Sequence, residues 1–300
     1  MAEIIPFDQR DGSLWLDGKI VPWREGKVHV LSHGLHFASC VFEGERMYSG
    51  RIYKLDEHTK RLFHSAEILG IKIPYTEDEI NRACYEAAEA QSIVDGYVRP
   101  VAFRAAQTMP TVSAQKAGVR VAIAVWPWPS YFDPAEKLKG IRLDISDWKR
   151  PAPDTAPTQA KAAGLYMICT MSKHAAEAKG YADAMMYDYR GLVAEATGAN
   201  MFFVKDGRLH TPTPDCFLDG ITRRSVIALA KQRQIPVHER QITREELETF
   251  EECFLTGTAA EVTPVSEIGP YRFKPGKISE TLMNDYAAEV RRPAPARASA

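Results

Sequence analysis

"PTQAKAAGLY", residues 157–166, sets a single lysine, Lys161, among alanines and a glycine, directly ahead of an apolar run with helical spacing. A solvated lysine needs no such neighbours. Small residues let main chain and amine lie close against something flat and bulky. The stretch therefore asks which other groups in the chain would serve the same bulky partner.

Four features answer. Glu195, in "GLVAEATGANMFFV", follows an apolar strand and precedes a small-residue turn. It reads either as a solvated strand-end carboxylate or as an acid held against a protonated ring nitrogen. In "LDGITRRSVIALAKQ", residues 218–232, Gly220-Ile221-Thr222 lead straight into a helix. Unpaired N–H groups and the positive dipole end at such a start suit a phosphate. "FLTGTAAEVTPV", residues 254–265, offers a second small-residue turn at Gly257-Thr258-Ala259, where main-chain donors can approach an anion. Arg61, in "HTKRLFHS", carries a planar fork that can reach a phosphate. Singly, these read as a surface carboxylate, a capped helix, a plain turn and a surface arginine. Together they supply an amine, an acid, a cationic fork and two anion-receiving turns, which is the inventory for holding pyridoxal phosphate. Its aldehyde condenses with a lysine amine as a Schiff base, its phosphate needs N–H donors and an arginine, and its ring nitrogen needs a carboxylate.

The rest of the chain sets bounds. Its 300 residues suffice for one large domain or two ordinary ones, and 45% hydrophobic with 26% charged residues allows a buried core and a soluble surface. With 38 Lys+Arg against 39 Asp+Glu and no dense basic run, nucleic acid is not an expected partner. No secretory signal opens the chain and no apolar stretch approaches a membrane span, so no membrane partner is expected either. Cys40, Cys84, Cys169, Cys216 and Cys253 are odd in number and irregularly spaced, and read as free thiols in a reducing cytoplasm.

Local patterns mix strands and helices. "SLWLDGKIVPW" is a hairpin about Asp17-Gly18. "LDEHTKRLFHSAEILG" is a helix stopping at Gly70, and Thr76 with Glu79 forms a capping box that opens another. "YVRPVAFRA" and "VRVAIAVW" are strands. "WPWPSYFDP", residues 126–134, is a linker between a small N-terminal domain, 1–125, and a larger domain, 135–300, whose tail "RRPAPARASA" reads as disordered. Beyond the linker the expected elements are a strand at "GIRLDIS", a helix from about Gly164 to Lys179, and strands at "ADAMMYD", "GLVAEAT", "NMFFV" and "GRLHTP". Helices follow at Thr222–Gln234, Thr243–Phe250 and Ile278–Val290. Without regular βαβ alternation the class is α+β.

The ordered motifs "HGLHFASCVFEGERMY", "YVRP", "PTQAKAAGLY", "GLVAEATGANMFFV", "LDGITR" and "FLTGTAAEVTPV" resemble those of the branched-chain aminotransferases, within fold type IV of the pyridoxal-phosphate enzymes. The resemblance implies a D-amino acid aminotransferase-like, two-domain fold, with a smaller N-terminal α/β domain and a larger, barrel-like C-terminal domain. It implies transfer of the amino group of leucine, isoleucine or valine to 2-oxoglutarate, with amino acids and 2-oxo acids as partners. It implies Lys161 as Schiff-base lysine and proton shuttle, Glu195 at the pyridine nitrogen and Tyr166 at the phenolic oxygen. Leu218 would pack on the ring. Arg61, Ile221, Thr222 and Thr258 would hold the phosphate. Thr258, Ala259 and Tyr97 would receive the α-carboxylate, while Phe37, Phe42, Tyr131 and Tyr166 would wall the side-chain pocket. Arg99 would pair with the γ-carboxylate of glutamate. A homodimer is implied, in which Phe37 and the 105–115 loop come from the neighbour. Phe37 departs from a tyrosine common at its position, and the 105–115 loop lacks the usual glycines.

Two other readings stand beside this one. The same fold also serves transaminases of (R)-amines or D-amino acids. His29, His33 and His36 in "HVLSHGLH" have near-helical spacing and can be read as the ligands of a metal-dependent hydrolase, although no acidic partner sits at a matching interval.

Overall fold

The structure, a computed structural model, describes residues 5–106, 111–128 and 137–292. These fall into two compact units. The first comprises the described residues up to 128 together with Ala160–Gly164; the second comprises 137–159 and the residues from Leu165 onward. The expected partition at 126–134 placed Lys161 in the larger domain, whereas the stretch around it packs with the first unit. Most of that expected linker, and the tail beyond 292, lie outside the described residues.

In chain order the first unit has β1 (Ser13–Leu16), β2 (Lys19–Pro22), α1 (His33–His36), β3 (Cys40–Phe42), β4 (Glu45–Tyr48) and β5 (Arg51–Ile52). It continues with α2 (Leu55–Ile68), α3 (Glu77–Ala90), β6 (Gly96–Arg104) and β7 (Val119–Pro127). The β1–β2 hairpin turns on Asp17 and Gly18, both with positive φ, as a two-residue turn requires. β6 and β7 pair antiparallel along their whole length, and β3 and β4 share the other edge of β6. The sheet order is β2-β1-β7-β6-β4-β5, with β3 beside β6. Alternate residues Val98 and Ala102 of β6 and Val121, Ile123 and Val125 of β7 meet Leu62, Ala66, Ile80 and Ala87 of the two helices. The capping box is present: Glu79 N–H donates to Thr76 Oγ1 at 3.2 Å, and Thr76 N–H donates to Glu79 Oε2 at 2.7 Å.

The second unit has β8 (Ile141–Ile145), α4 (Tyr166–Ala178), β9 (Asp183–Tyr187), β10 (Val193–Ala196), β11 (Asn200–Lys205) and β12 (Arg208–Pro212). Then come α5 (Ile221–Gln232), β13 (Val237–Arg240), β14 (Glu252–Gly257), β15 (Glu261–Ile268), β16 (Tyr271–Arg272) and α6 (Lys277–Val290). Pairing runs β10-β9-β8-β15-β14-β11 and returns to β10, so these strands close a barrel; β12 and β13 extend outward from β11. Leu143, Met185, Met201, Phe203, Leu255 and Val265 are among the residues packed into its core. The unit is thus the barrel-like half of an α+β fold. The helix expected over Thr243–Phe250 is instead a short 3₁₀ turn, Glu245–Thr249. Of that turn only Leu247 is buried, so no apolar stripe supports a longer helix, and the chain is already extended at Phe250 to enter β14.

Several buried polar residues interrupt the apolar core of the first unit, Glu45 among them. Glu45 is fully buried, and neither of its oxygens has a hydrogen-bond partner among the described residues. Burial, and then the charge of Glu43, push its carboxyl well above the ordinary range, so it is a neutral acid lying against the Cys84 thiol. The folded state therefore holds a proton that the unfolded state releases once pH passes the ordinary carboxylate value. Stability must fall as pH rises from there toward the raised folded value. Glu45→Gln should flatten this slope. In urea unfolding from pH 5 to pH 8, the parent should lose more stability than the variant; equal slopes would refute the neutral acid.

Candidate active site

The small residues around Lys161 have a direct structural reason. Val41 of β3 and Ala162 form an antiparallel bridge. Phe42 N–H donates to Lys161 O at 3.2 Å, and Lys161 N–H donates to the hydroxyl of Ser65, on α2, at 2.9 Å. The segment is wedged between a strand and a helix, and Ala160 and Ala162 are buried in the wedge. A Cβ on Gly164 would come within 3.1 Å of the Ala38 Cβ. Both main-chain polar groups of Lys161 are thereby satisfied and its backbone is held from two sides.

The side chain of Lys161 reaches over Phe42, with Nζ 5.0 Å from the ring centroid. Arg99 uses the same ring, its guanidinium carbon 4.8 Å from that centroid. Arg99 also donates to the Tyr97 hydroxyl at 3.3 Å. Gly44 makes this possible, since a Cβ there would stand 2.0 Å from the Tyr97 oxygen. Lys161, Phe42, Tyr97 and Arg99 therefore form one cluster.

Arg61 lies on α2 and is bound edge-on by Glu43. Its Nε donates to Oε1 at 2.7 Å and its Nη2 to Oε2 at 2.9 Å. His58 Nδ1 lies 2.7 Å from Glu43 Oε2. Burial pushes the Glu43 carboxyl up, but Arg61 and His58 outweigh it and hold the group well below the usual range. Burial lowers His58 against the pull of Glu43. A carboxylate only accepts, so Nδ1 of a neutral imidazole is its protonated nitrogen. Sequence reading found Arg61 but missed Glu43 and His58. The helical spacing of His58, Arg61 and Ser65 was the available signal.

In the second unit Glu195 sits on β10 and meets Arg150, with Nε 3.3 Å from Oε1. Asn200 Nδ2 donates to Glu195 Oε2 at 3.3 Å and to Leu218 O at 3.0 Å, while its Oδ1 accepts the Gly220 N–H at 3.1 Å. Asn200 thus ties the acid, Leu218 and the start of α5 together. A Cβ on Gly220 would stand 2.2 Å from that Oδ1. Ile221 and Thr222, both buried, open α5, whose N-terminus has no side-chain cap. Burial lowers the Arg150 guanidinium, but Glu195, Cys169 and Tyr166 raise it overall. Burial pushes the Cys169 thiol up to about 11 although Arg150 lies 3.3 Å from its sulfur. Tyr166 is the first residue of α4. Thr258, half-buried, and Ala259, exposed, lie in the β14–β15 turn. Asn200 stood inside a quoted motif, whereas Arg150, in a proline-rich stretch without periodicity, gave no signal.

Phe37 is 39% exposed and packs on His33, with ring centroids 4.6 Å apart. Tyr131, and residues 107–110 of the 105–115 loop, lie outside the described residues. His29, His33 and His36 are not brought together as a ligand set. His33 Nε2 bonds the Val112 carbonyl at 3.1 Å, and His29 Nδ1 accepts the Leu31 N–H at 3.1 Å. Among the described residues the one convergent group of three potential ligands is Asp188, Asp215 and Cys216, and Arg190 pairs with both of its carboxylates.

Arg150→Met would remove a cation paired with Glu195, 3.3 Å away and largely buried, which should cost about 3 kcal/mol or more. Adding Glu195→Gln should recover part of that loss. A double-mutant cycle by urea unfolding checks this; purely additive losses would show that the two groups are not coupled.

A family model described as amino-transferase class IV matches residues 40–268. A probable branched-chain-amino-acid aminotransferase of Rickettsia conorii is 40% identical over 293 residues, covering 96% of this chain and 99% of that protein. The branched-chain amino acid aminotransferase of Thermobaculum terrenum, solved in its PLP-form, superposes with a TM-score of 0.86 at 30% identity, covering 94% of this chain and 94% of that one. The enzyme of the archaeon Thermoproteus uzoniensis, solved with norvaline, gives a TM-score of 0.89 at 37% identity, covering 94% and 95%. With its motifs, its barrel and these similarities in agreement, the chain belongs to the branched-chain aminotransferases of the class IV family.

Proposed function

We propose that this enzyme moves the amino group of leucine, isoleucine or valine to 2-oxoglutarate by way of pyridoxal 5'-phosphate. One observation carries the substrate reading: the Lys161 amine and the Arg99 guanidinium lie over the same Phe42 ring, 5.0 Å and 4.8 Å from its centroid. An aromatic wall suits an aliphatic side chain, and a cation at its edge suits the distal carboxylate of glutamate.

The residues present fit the cofactor. The uncapped start of α5 behind Gly220 and the Arg61 fork suit its phosphate. Glu195, held by Arg150 and Asn200, suits a protonated ring nitrogen. Once bound, the cofactor supplies an electron sink for the pair left when a proton leaves the substrate's Cα. Lys161 would hold its aldehyde, and its Nζ, when free, would carry the proton of the substrate's Cα. Glu195 keeps the ring nitrogen protonated, and Tyr166 donates to the phenolic oxygen. Leu218 packs on the ring. Ile221, Thr222 and Thr258 join Arg61 at the phosphate. Thr258, Ala259 and Tyr97 receive the α-carboxylate. Arg99 takes the γ-carboxylate, while Phe37, Phe42, Tyr131 and Tyr166 wall the side-chain pocket.

A homodimer belongs to the same reading. Val28, Val30, Leu31, Leu35 and Phe37 of the first unit expose 39–69% of their surface, an apolar patch that a second copy would cover. The five cysteines are unpaired, which suits a reducing cytoplasm, and no helix among the described residues is long and apolar enough to cross a membrane.

Lys161→Ala should abolish turnover. Arg99→Ala should lower kcat/KM for glutamate and 2-oxoglutarate roughly 30-fold or more, the size of a lost charged hydrogen bond, and leave leucine within about threefold. Half-reactions followed by absorbance separate the two substrates. Equal losses for both would show that Arg99 does not select the γ-carboxylate.

A further inference from the structure

Two residues adjacent in the chain hold the two groups proposed to grip the ends of the cofactor. Phe42 N–H holds the main chain of Lys161, and the Glu43 carboxylate holds the side chain of Arg61. Helix α2 completes the frame from one face. His58, Arg61 and Ser65 follow one another at helical spacing; the first two meet Glu43 and the third accepts the Lys161 N–H. Glu43 is fully buried, and so are His58 and Ser65.

Stability alone does not explain this arrangement. A buried ion pair gains little net stability over apolar packing of the same volume, because desolvation offsets the attraction. What a bidentate carboxylate does supply is direction. It fixes the plane of the guanidinium through Nε and Nη2, and turns the opposite, Nη1 edge away from itself. His58, as a second donor to Oε2, prevents the carboxylate from rotating with the arginine.

We infer that Glu43, steadied by His58, is a positioning residue that presets the Arg61 fork relative to Lys161, so that the phosphate and the aldehyde of the cofactor are received at a fixed separation. This rests on the reading of Arg61 as the phosphate arginine. Two effects of Glu43 oppose one another. Its negative charge weakens anion binding at Arg61, while its geometry strengthens it. The inference commits to geometry, since an arginine free to swing must be ordered again each time an anion binds.

The test is equilibrium titration of the full-length apo-protein, read by absorbance, with pyridoxal 5'-phosphate and separately with pyridoxal, which lacks the phosphate. Glu43→Gln places an amide N–H₂ against at least one donor in either orientation and should weaken binding of the phosphorylated form on the order of tenfold, with pyridoxal changed by less than about twofold. His58→Asn keeps a donor near the Nδ1 position and should remain within about twofold of the parent for both ligands, whereas His58→Ala should lose affinity for the phosphorylated form alone. Arg61→Ala should lose the preference for the phosphorylated form. If Arg61→Ala keeps that preference, the reading of Arg61 fails. If Arg61→Ala loses it while Glu43→Gln keeps or tightens binding, the positioning role of Glu43 fails. Loss of both ligands together in Glu43→Gln would mark a merely structural role and also overturn the inference. Should Glu43→Gln not fold, identical behaviour of His58→Asn and His58→Ala would do so.

Discussion

The hold on the main chain of Lys161 is the constraint to which the first unit is built. A lysine on a free loop sweeps a wide volume. Here its carbonyl accepts from β3 and its N–H donates to a buried serine on α2, so the backbone behaves as an added strand. The sheet gives this strand its partner, and the helix must lie close enough for Ser65 to reach. Core packing of Leu62 and Ala66 of α2 against the sheet sets that distance. The small residues around the lysine match this wedge: Ala160 and Ala162 are buried in it, and Gly164 lies against Ala38.

Two fully buried carboxyl groups of the first unit are handled differently. Glu43 is ionised because Arg61 and His58 meet it, whereas Glu45, two residues on, is neutral because burial and then the charge of Glu43 push its carboxyl up, and Arg61 and the Cys84 thiol do not offset them. In the second unit Arg150 and Asn200 meet the two oxygens of Glu195. For Glu43 and Glu45 the protonation state follows from burial and the neighbouring charges, not from the residue type. The same chemistry that would make a solitary acid costly to bury makes a partnered one a fixed electrostatic element, and active sites rely on such elements.

Much of the machinery was legible before any coordinates. The motifs around Lys161, Glu195, Gly220 and Thr258 each have a local signature: small residues beside a functional group, or a helix start after glycine. Hairpin and capping-box residues also announced themselves, since Asp17-Gly18 and Thr76 with Glu79 act within a few residues of one another. The expected helix over Thr243–Phe250 failed because propensity and spacing cannot reveal that Phe250 would leave the turn in an extended conformation and pack against Phe203.

By itself the sequence determined the class of fold, the family and the inventory of reactive groups, because these follow from short-range spacing and from the order of motifs along the chain. Only the tertiary structure decided who holds whom. Arg61 lies 18 residues from Glu43, and Lys161 lies 96 residues from Ser65. No periodicity connects residues that far apart; the sheet register and the packing of α2 onto it bring them together. Arg150 and Asn200, silent or merely polar in the sequence, acquired their places beside Glu195 for the same reason: the direction of a buried side chain is settled by its neighbours in space, not by its neighbours in the chain.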